Sequence, residues 1–130
     1  MQEGVLQMVS RILVGLVGAF FFVMGLMFWF SLDTQVVGFA IEPSNVLGRA
    51  SIRADFGGFF LAGGIMGLYA AWKQCRMAAA GAMLLLGLAL IGRIVSLLLD
   101  GPAPGGIPPM VVEAVCVAIL AWARSGWRRT

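Results

Sequence analysis

The chain has 130 residues, of which 61% are hydrophobic and only 12% are charged, and its mean hydropathy is +0.97. Soluble domains have about 25% charged residues, so this composition argues against a water-soluble domain and predicts an integral membrane protein. The net charge is only +3, with no basic stretch on a soluble module, which argues against nucleic acid as a partner. The chain has no histidine, so imidazole ligands are excluded, and we expect no metal site and no cofactor.

Four apolar runs predict four membrane-spanning helices, at about 12–32, 52–72, 77–99 and 108–124. A spanning helix needs about 20 residues; the fourth run is the shortest, and we expect it to be completed by Ile107 and by snorkelling of Arg124. The first run is longer than the core of a signal peptide and no A-x-A site follows it, which predicts a retained helix. The predicted fold is an all-α, integral membrane four-helix bundle, with residues 1–130 forming a single four-span transmembrane domain.

The connections between the runs carry distinct turn signals. The residues KQCR at 73–76 predict a short turn. The stretch DGPAPGGIPP at 100–109 cannot be helical before its last prolines, which suit the first turn of the fourth helix. In the first connection, Ser44 or Ser51 is expected to cap the second helix.

Basic residues are unevenly divided between the two ends of the predicted bundle. One end has a single acid, Glu3, against Arg11, Lys73, Arg76, Arg124, Arg128 and Arg129. The other end combines Arg49, Arg53 and Arg93 with Asp33, Glu42, Asp55, Asp100 and Glu113. Lysine and arginine concentrate in cytoplasmic loops, so we predict a multi-pass protein of the bacterial inner membrane with both termini in the cytoplasm.

Charged side chains recur at a similar depth in three predicted helices, near the outer end. Arg53 and Asp55 are two residues apart and point about 200° away from each other on a helix, so they are not expected to pair. Lipid-facing charge is unfavourable, and we therefore expect a cluster inside the bundle with Asp55, Arg93 and Glu113 at its core. Asp100 and Arg53 are expected nearer the surface, and Ser96 shares one helix face with Arg93.

Three interpretations of this cluster stay open. It is an ion-pair clasp between the second, third and fourth helices, a site for a ligand, proton or substrate, or a set of snorkelling side chains without a shared site. The candidate residues are Asp55, Arg93, Glu113, Asp100, Arg53 and Ser96.

Small residues form ridges on the predicted helices. Gly57, Gly58, Gly63 and Gly67 of the second helix are expected to let neighbouring helices approach closely, within the bundle or in a homo-oligomer. The pairs Gly57-Gly58 and Gly63-Gly64 fit neither GxGxxG nor GxxxxGK, so a phosphate loop is not predicted.

Two motifs, GRASIRADFGGFFLAGG at 48–64 and GRIVSLLLDGPAP at 92–104, resemble an uncharacterised family of four-span bacterial membrane proteins, domain of unknown function 4345. The resemblance covers most of the chain. It implies a small four-helix bundle, with a distant likeness to DoxX-like proteins as a further expectation, and it implies no activity.

Taken together, these features favour a non-enzymatic membrane protein that binds a lipid-like or small ligand, or a membrane partner, through the charged cluster. The first alternative is an intramembrane enzyme, such as an isomerase, with Asp55 or Glu113 as acid or base. The second is a scaffold subunit. The expected partners are membrane lipid and either further copies of the chain or a larger membrane complex.

Overall fold

The computed structural model describes residues 2–102 and 104–127. Arg128 and Arg129, which the sequence assigned to the basic end, lie outside the described residues, as does the side chain of Glu3. The described residues form five helices and no strand: α1 (Gln2–Phe30), α2 (Leu32–Gly38), α3 (Val46–Lys73), α4 (Arg76–Asp100) and α5 (Ile107–Gly126). All except α2 are long and apolar enough to cross a membrane. Each predicted run falls on one of these four helices, although α1 and α3 begin earlier than expected.

The four long helices form a ring in which each packs against two others. Helix α1 packs against α3 and α5, and α4 packs against the same two helices. Successive long helices run antiparallel, so the bundle has two distinct ends. The termini end holds residues 2 and 127 and the turn at 74–75, whereas the loop end holds the connections 31–45 and 101–106.

Helices α1 and α3 approach each other closely at glycines, which are Gly18 of α1 and Gly64 and Gly67 of α3. A Cβ atom on Gly67 would lie 2.9 Å from Cα of Gly18, and one on Gly64 would lie 2.6 Å from Cα of Phe22. Backbones can pack this closely only where side chains are absent. Two of the glycines expected to serve packing lie elsewhere: a Cβ on Gly58 would meet nothing within 4 Å, and one on Gly63 would meet only Leu85 at 4.0 Å.

The first connection contains structure that the sequence did not predict. Helix α2 lies within it, and α3 begins at Val46, where the side chain of Asn45 accepts a hydrogen bond from the Gly48 amide at 2.8 Å. The expectation that Ser44 or Ser51 caps this helix is therefore wrong. Ser51 lies inside the first turns instead, and its hydroxyl donates to the Leu47 carbonyl at 3.0 Å.

Arginines at the termini end bind backbone carbonyls of neighbouring helices. Arg11 donates to Ala71 and Trp72 carbonyls at the end of α3, at 2.8 Å and 2.9 Å. Arg76 donates to the Arg124 carbonyl in the last turn of α5, and Arg124 donates at 3.0 Å to the carbonyl of Arg76, the first residue of α4. Arg11 and Arg76 each place a cation at the carboxyl end of a helix, where it is favourable because the helix dipole is negative there.

Helix α4 is packed along only half of its length. Its inward stripe is buried at Ala79, Ala82 and Leu86, in the half nearer the termini end. The same stripe continues through Ala89 and Arg93, but those residues are only partly buried. The bundle is therefore closed towards the termini end and open between α3 and α4 towards the loop end.

Candidate functional site

A widened helical turn lies in α3 where it faces this opening. Residues Arg53–Gly57 form a π-helical turn within the otherwise α-helical Val46–Lys73. The successive buried positions Ile52 and Gly57 are five residues apart, whereas an α-helix repeats its buried face every three or four residues. Short π segments inside α-helices are frequent at functional sites. Asp55 is the middle residue of this turn.

Trp29 of α1 packs against the widened turn. Its indole N–H donates to the Arg53 carbonyl at 3.1 Å, and Nε of Arg53 donates to the Trp29 carbonyl at 2.8 Å. The indole lies directly over Gly57, where a Cβ would come within 2.6 Å of ring atoms Cδ1 and Nε1. Arg53 is therefore bound to α1, and it does not line the cavity that contains Asp55.

That cavity opens between α3, α4 and α5 and has a volume of about 270 Å³. We call it the aromatic cavity, and its lining residues are Phe39, Asp55, Phe56, Phe59, Phe60, Ala89, Arg93 and Glu113. Phe60 and Glu113 are buried and form its floor, while Asp55 and Phe56 are exposed and lie at its mouth. The described structure thus brings three of the predicted site residues, one from each of three helices, to one cavity.

Two of these three residues form an ion pair. Nε of Arg93 donates to Oε1 of Glu113 at 2.8 Å, which joins α4 to α5. The side chain of Glu113 is 9% exposed and that of Arg93 is 36% exposed. A buried carboxylate requires such a partner because its desolvation is costly. The pair therefore explains how Glu113 is accommodated on the floor of the cavity.

Asp55 is not part of this pair. Its carboxylate is exposed and has no hydrogen-bond or ion-pair partner among the described residues. The sequence predicted a core of Asp55, Arg93 and Glu113, and the structure joins only the last two directly. Asp55 lines the same cavity as a free carboxylate at the mouth.

The remaining predicted residues, Arg53, Ser96 and Asp100, do not line the aromatic cavity. Ser96 lines a neighbouring cleft, which shares Arg93 with the cavity. Ser96 donates to the carboxylate of Asp100 at 3.5 Å on the exposed face of α4. A smaller cleft of about 120 Å³ separates the ends of α4 and α5 and is lined by Arg93, Ser96 and Leu97, among others. Asp100 lines neither of these two cavities.

A second ion pair at the loop end involves residues that the sequence did not pair. Arg49 donates to Asp33 at 2.6 Å, which ties α3 to α2. The hydrogen bond and the positive charge of Arg49 hold the pKa of the exposed Asp33 carboxyl below its usual value. Arg49 is thus paired outside the aromatic cavity.

The phenylalanine walls are the part of the site that sequence reasoning missed. Phe56, Phe59 and Phe60 follow Asp55 at the spacing of one helix face, which is a readable signal for three of the four. Phe60 stacks on Phe28 of α1 with ring centroids 5.5 Å apart, so the cavity wall is continuous with the core. Phe39 comes from the connection after α2, and nothing in the sequence indicated its position.

The cavity lies well inside the helices that line it. A rise of about 1.5 Å per residue places Arg93 about 10 Å, Glu113 about 9 Å and Asp55 about 13 Å from the loop-end termini of their helices. For helices that cross a hydrocarbon core of about 30 Å, these depths correspond to the half of the bundle nearer the loop end.

Fold and site together define a small helical protein of membrane-protein character, with four helices suited to crossing a membrane and an aromatic cavity near one end. A family model matches residues 9–124, and the chain belongs to that family, described as Domain of unknown function (DUF4345). The match confirms the family predicted from the motifs at 48–64 and 92–104. Comparison with curated proteins and with solved structures found no match, so the likeness to DoxX-like proteins stays a prediction.

Proposed function

We propose that the protein is an integral protein of the bacterial inner membrane that binds a small amphipathic, lipid-like ligand in the aromatic cavity. The observation that carries this proposal is a phenylalanine-lined cavity with a free carboxylate, Asp55, at its mouth and an ion pair, Arg93–Glu113, at its base. Ligand sites are mostly apolar, with a few polar groups that fix orientation. The aromatic cavity has this composition.

The proposed orientation places both termini in the cytoplasm. The termini end carries Arg11, Lys73, Arg76 and Arg124 and no acidic side chain among those described. The loop end carries three arginines and five acidic residues. Exposed aromatic residues, Tyr69, Trp72 and Trp122 at one end and Trp29 at the other, suit the two membrane interfaces. This charge asymmetry supports a cavity that opens in the outer leaflet.

The size of the cavity favours a ligand that is only partly enclosed. Ligand sites commonly measure about 300–1,000 Å³, and the aromatic cavity is slightly smaller, at about 270 Å³. Its mouth is open at Asp55 and Phe56, of which Phe56 is 37% exposed. The cavity therefore suits the polar group and first part of the chain of an amphiphile, with the rest of the chain among the membrane lipids.

One observation favours a second candidate, an intramembrane enzyme acting on an apolar substrate. Asp55 has no partner among the described residues and lines the cavity, so its carboxylate is available as an acid or base. The second carboxylate, Glu113, is engaged by Arg93. Asp55 is the one ionisable residue of the lining that has no partner among the described residues, and we therefore favour binding over catalysis.

Photolabelling of the protein in nanodiscs tests the proposal. The probes are octyl amphiphiles that carry a diazirine and end in a trimethylammonium, glucoside or sulfonate group. We expect saturable labelling by at least one probe, mapped by mass spectrometry to the residues that line the aromatic cavity. Ala89→Phe should fill the cavity and reduce that labelling at least about ten-fold, which corresponds to 1.4 kcal/mol of binding free energy.

Leu88→Phe is the matched control, because Leu88 neighbours Ala89 but is 57% exposed on the outside of the bundle. It should leave the labelling unchanged. The binding proposal is overturned if no probe labels the cavity saturably, or if Ala89→Phe and Leu88→Phe behave alike while both variants remain folded.

A further inference from the structure

Resting on the proposed function, we infer that the ligand of the aromatic cavity carries a cationic ammonium group, which Asp55 binds as its counter-charge. The phenylalanines hold the apolar groups next to it. This inference concerns the chemical class of the ligand, and it depends on the charges and walls of the cavity.

The lining of the cavity has an excess of negative charge. Its ionisable residues are Asp55, Glu113 and Arg93, and the Arg93–Glu113 pair is neutral as a unit. Asp55 is left as an uncompensated carboxylate at the mouth. A cation that enters would therefore meet a formal charge of opposite sign that the protein itself does not neutralise.

The other arginines of the loop end are engaged away from Asp55. Arg49 pairs with Asp33 at 2.6 Å, and Arg53 donates to the Trp29 carbonyl at 2.8 Å. Neither residue lines the aromatic cavity. Arg53 is thus held on the side of α3 that faces away from the cavity. The Asp55 carboxylate therefore remains free to bind a cation from a ligand.

The walls of the cavity also suit a cation. Four of the eight lining residues are phenylalanines: Phe39, Phe56, Phe59 and Phe60. The face of an aromatic ring attracts cations, and such sites are used for quaternary ammonium groups, which are large and weakly hydrated. A carboxylate beside several phenylalanines therefore favours an alkylammonium group over an equally apolar uncharged head group.

An anionic head group fits the same cavity less well. Arg93 is the only cation among the lining residues, and its Nε is bound to Glu113. An anion that reached the remaining nitrogens of Arg93 would lie in a cavity that also holds the carboxylates of Glu113 and Asp55. Repulsion from two carboxylates opposes the attraction of one shared guanidinium.

The test compares the three octyl photoprobes in nanodiscs made of an uncharged glycolipid, which contain no competing ammonium. We expect the trimethylammonium probe to half-saturate the cavity at a concentration about ten-fold lower than the glucoside probe. The sulfonate probe should be the weakest. Asp55→Asn should remove most of the advantage of the trimethylammonium probe, while Asp55→Glu should retain it.

Asp100→Asn is the matched control, since it removes the same charge from the loop end at a residue that does not line the cavity. It should change the half-saturating concentrations by less than about two-fold, because exposed charges beyond a Debye length of about 8 Å are largely screened at physiological salt. Thermal unfolding of each variant in detergent verifies that the fold is retained.

The outcomes separate this inference from the proposed function. If the glucoside or sulfonate probe binds as tightly as the trimethylammonium probe, or if Asp55→Asn and Asp100→Asn have equal effects, the ammonium inference is overturned. Saturable labelling that Ala89→Phe abolishes would still support the binding function. If no probe labels the cavity, both fail.

A final arm identifies the source of the ammonium group. Short-chain phosphatidylethanolamine carries an ammonium next to a phosphate, whereas octyltrimethylammonium carries a positive charge alone. Competition by the phospholipid at a comparable concentration would support a lipid head group as ligand. If octyltrimethylammonium competes and the phospholipid does not, the result would support a free lipophilic ammonium compound as ligand.

Discussion

Trp29 and Gly57 show how single residues hold the widened turn that carries Asp55. The indole ring occupies the space that a side chain on residue 57 would need, and its N–H binds the Arg53 carbonyl. A widened turn disturbs the regular ladder of backbone hydrogen bonds. Gly57 therefore leaves space for the indole of Trp29 from α1, and that indole binds the Arg53 carbonyl of the widened turn.

Gly57→Ala should destabilise the protein by about 1–3 kcal/mol, the usual range for overpacking. The added Cβ would meet the Trp29 ring at 2.6 Å and displace it from the Arg53 carbonyl. Thermal unfolding in detergent measures the effect, and the fluorescence of Trp29 should change with it.

Gly58→Ala is the matched control, because the adjacent glycine has nothing within 4 Å of the added Cβ. A helical Gly→Ala change without strain stabilises a protein by about 0.4–1 kcal/mol. If the two variants unfold at the same temperature, the packing of Trp29 on Gly57 does not support the turn.

At the scale of helices, the Arg93–Glu113 pair joins α4 to α5 in the part of the bundle where α4 has few other buried contacts. Removing one partner from a fully buried pair costs about 3–5 kcal/mol. Arg93 is 36% exposed, so solvent screening reduces this value, and we expect about 1–3 kcal/mol for Glu113→Gln or Arg93→Gln alone. The double variant should recover most of the loss, as measured by unfolding in detergent.

The Asp33–Arg49 pair is the internal comparison, because the Asp33 side chain is 83% exposed. Asp33→Asn should have little effect at neutral pH. Arg49 lowers the folded-state pKa of Asp33. The small contribution of this pair to stability is therefore present above the unfolded-state pKa and is lost as the pH falls through the folded-state pKa.

For the Arg93–Glu113 pair, additive effects of Glu113→Gln and Arg93→Gln would contradict a direct coupling across α4 and α5.

At the scale of the whole molecule, the two ends of the bundle differ in charge, which predicts its orientation in a membrane. In a chain with Cys75 replaced by serine, Glu42→Cys at the loop end should react with a membrane-impermeant maleimide in intact cells. Ser125→Cys at the termini end should react only after the cells are permeabilised. Both native side chains are exposed, so the comparison reports the side of the membrane and is not limited by burial. The reverse pattern would overturn the proposed orientation and the outer-leaflet opening.

Much of the architecture follows from local patterns. The apolar runs predicted four helices suited to crossing a membrane, and the motifs at 48–64 and 92–104 identified the family that the family model confirms. The proline-rich connection predicted the start of the fourth helix near its last prolines, and α5 begins at Ile107. These features depend on residues that are close in sequence, which is why they can be read without the fold.

The partners of individual side chains depended on tertiary structure. Burial requirements alone could not say that Glu113 pairs with Arg93 while Asp55 stays free, because that choice depends on how the three helices pack together. Similarly, Asn45, and neither of the expected serines, caps α3, and Arg53 binds a carbonyl of α1.

The sequence by itself determined which residues are apolar, where charge must be accommodated and how many helices are long and apolar enough to cross a membrane, because hydrophobicity and helical periodicity act over a few turns. Only the tertiary structure decided that RADFG at 53–57 is a widened turn. It also decided that Arg53 binds the Trp29 carbonyl of α1, whereas Asp55 lines the aromatic cavity beside the phenylalanines. A helix read at a constant 100° per residue cannot include an extra residue in one turn. That one irregularity, stabilised by contacts with another helix, sets which charge faces the cavity.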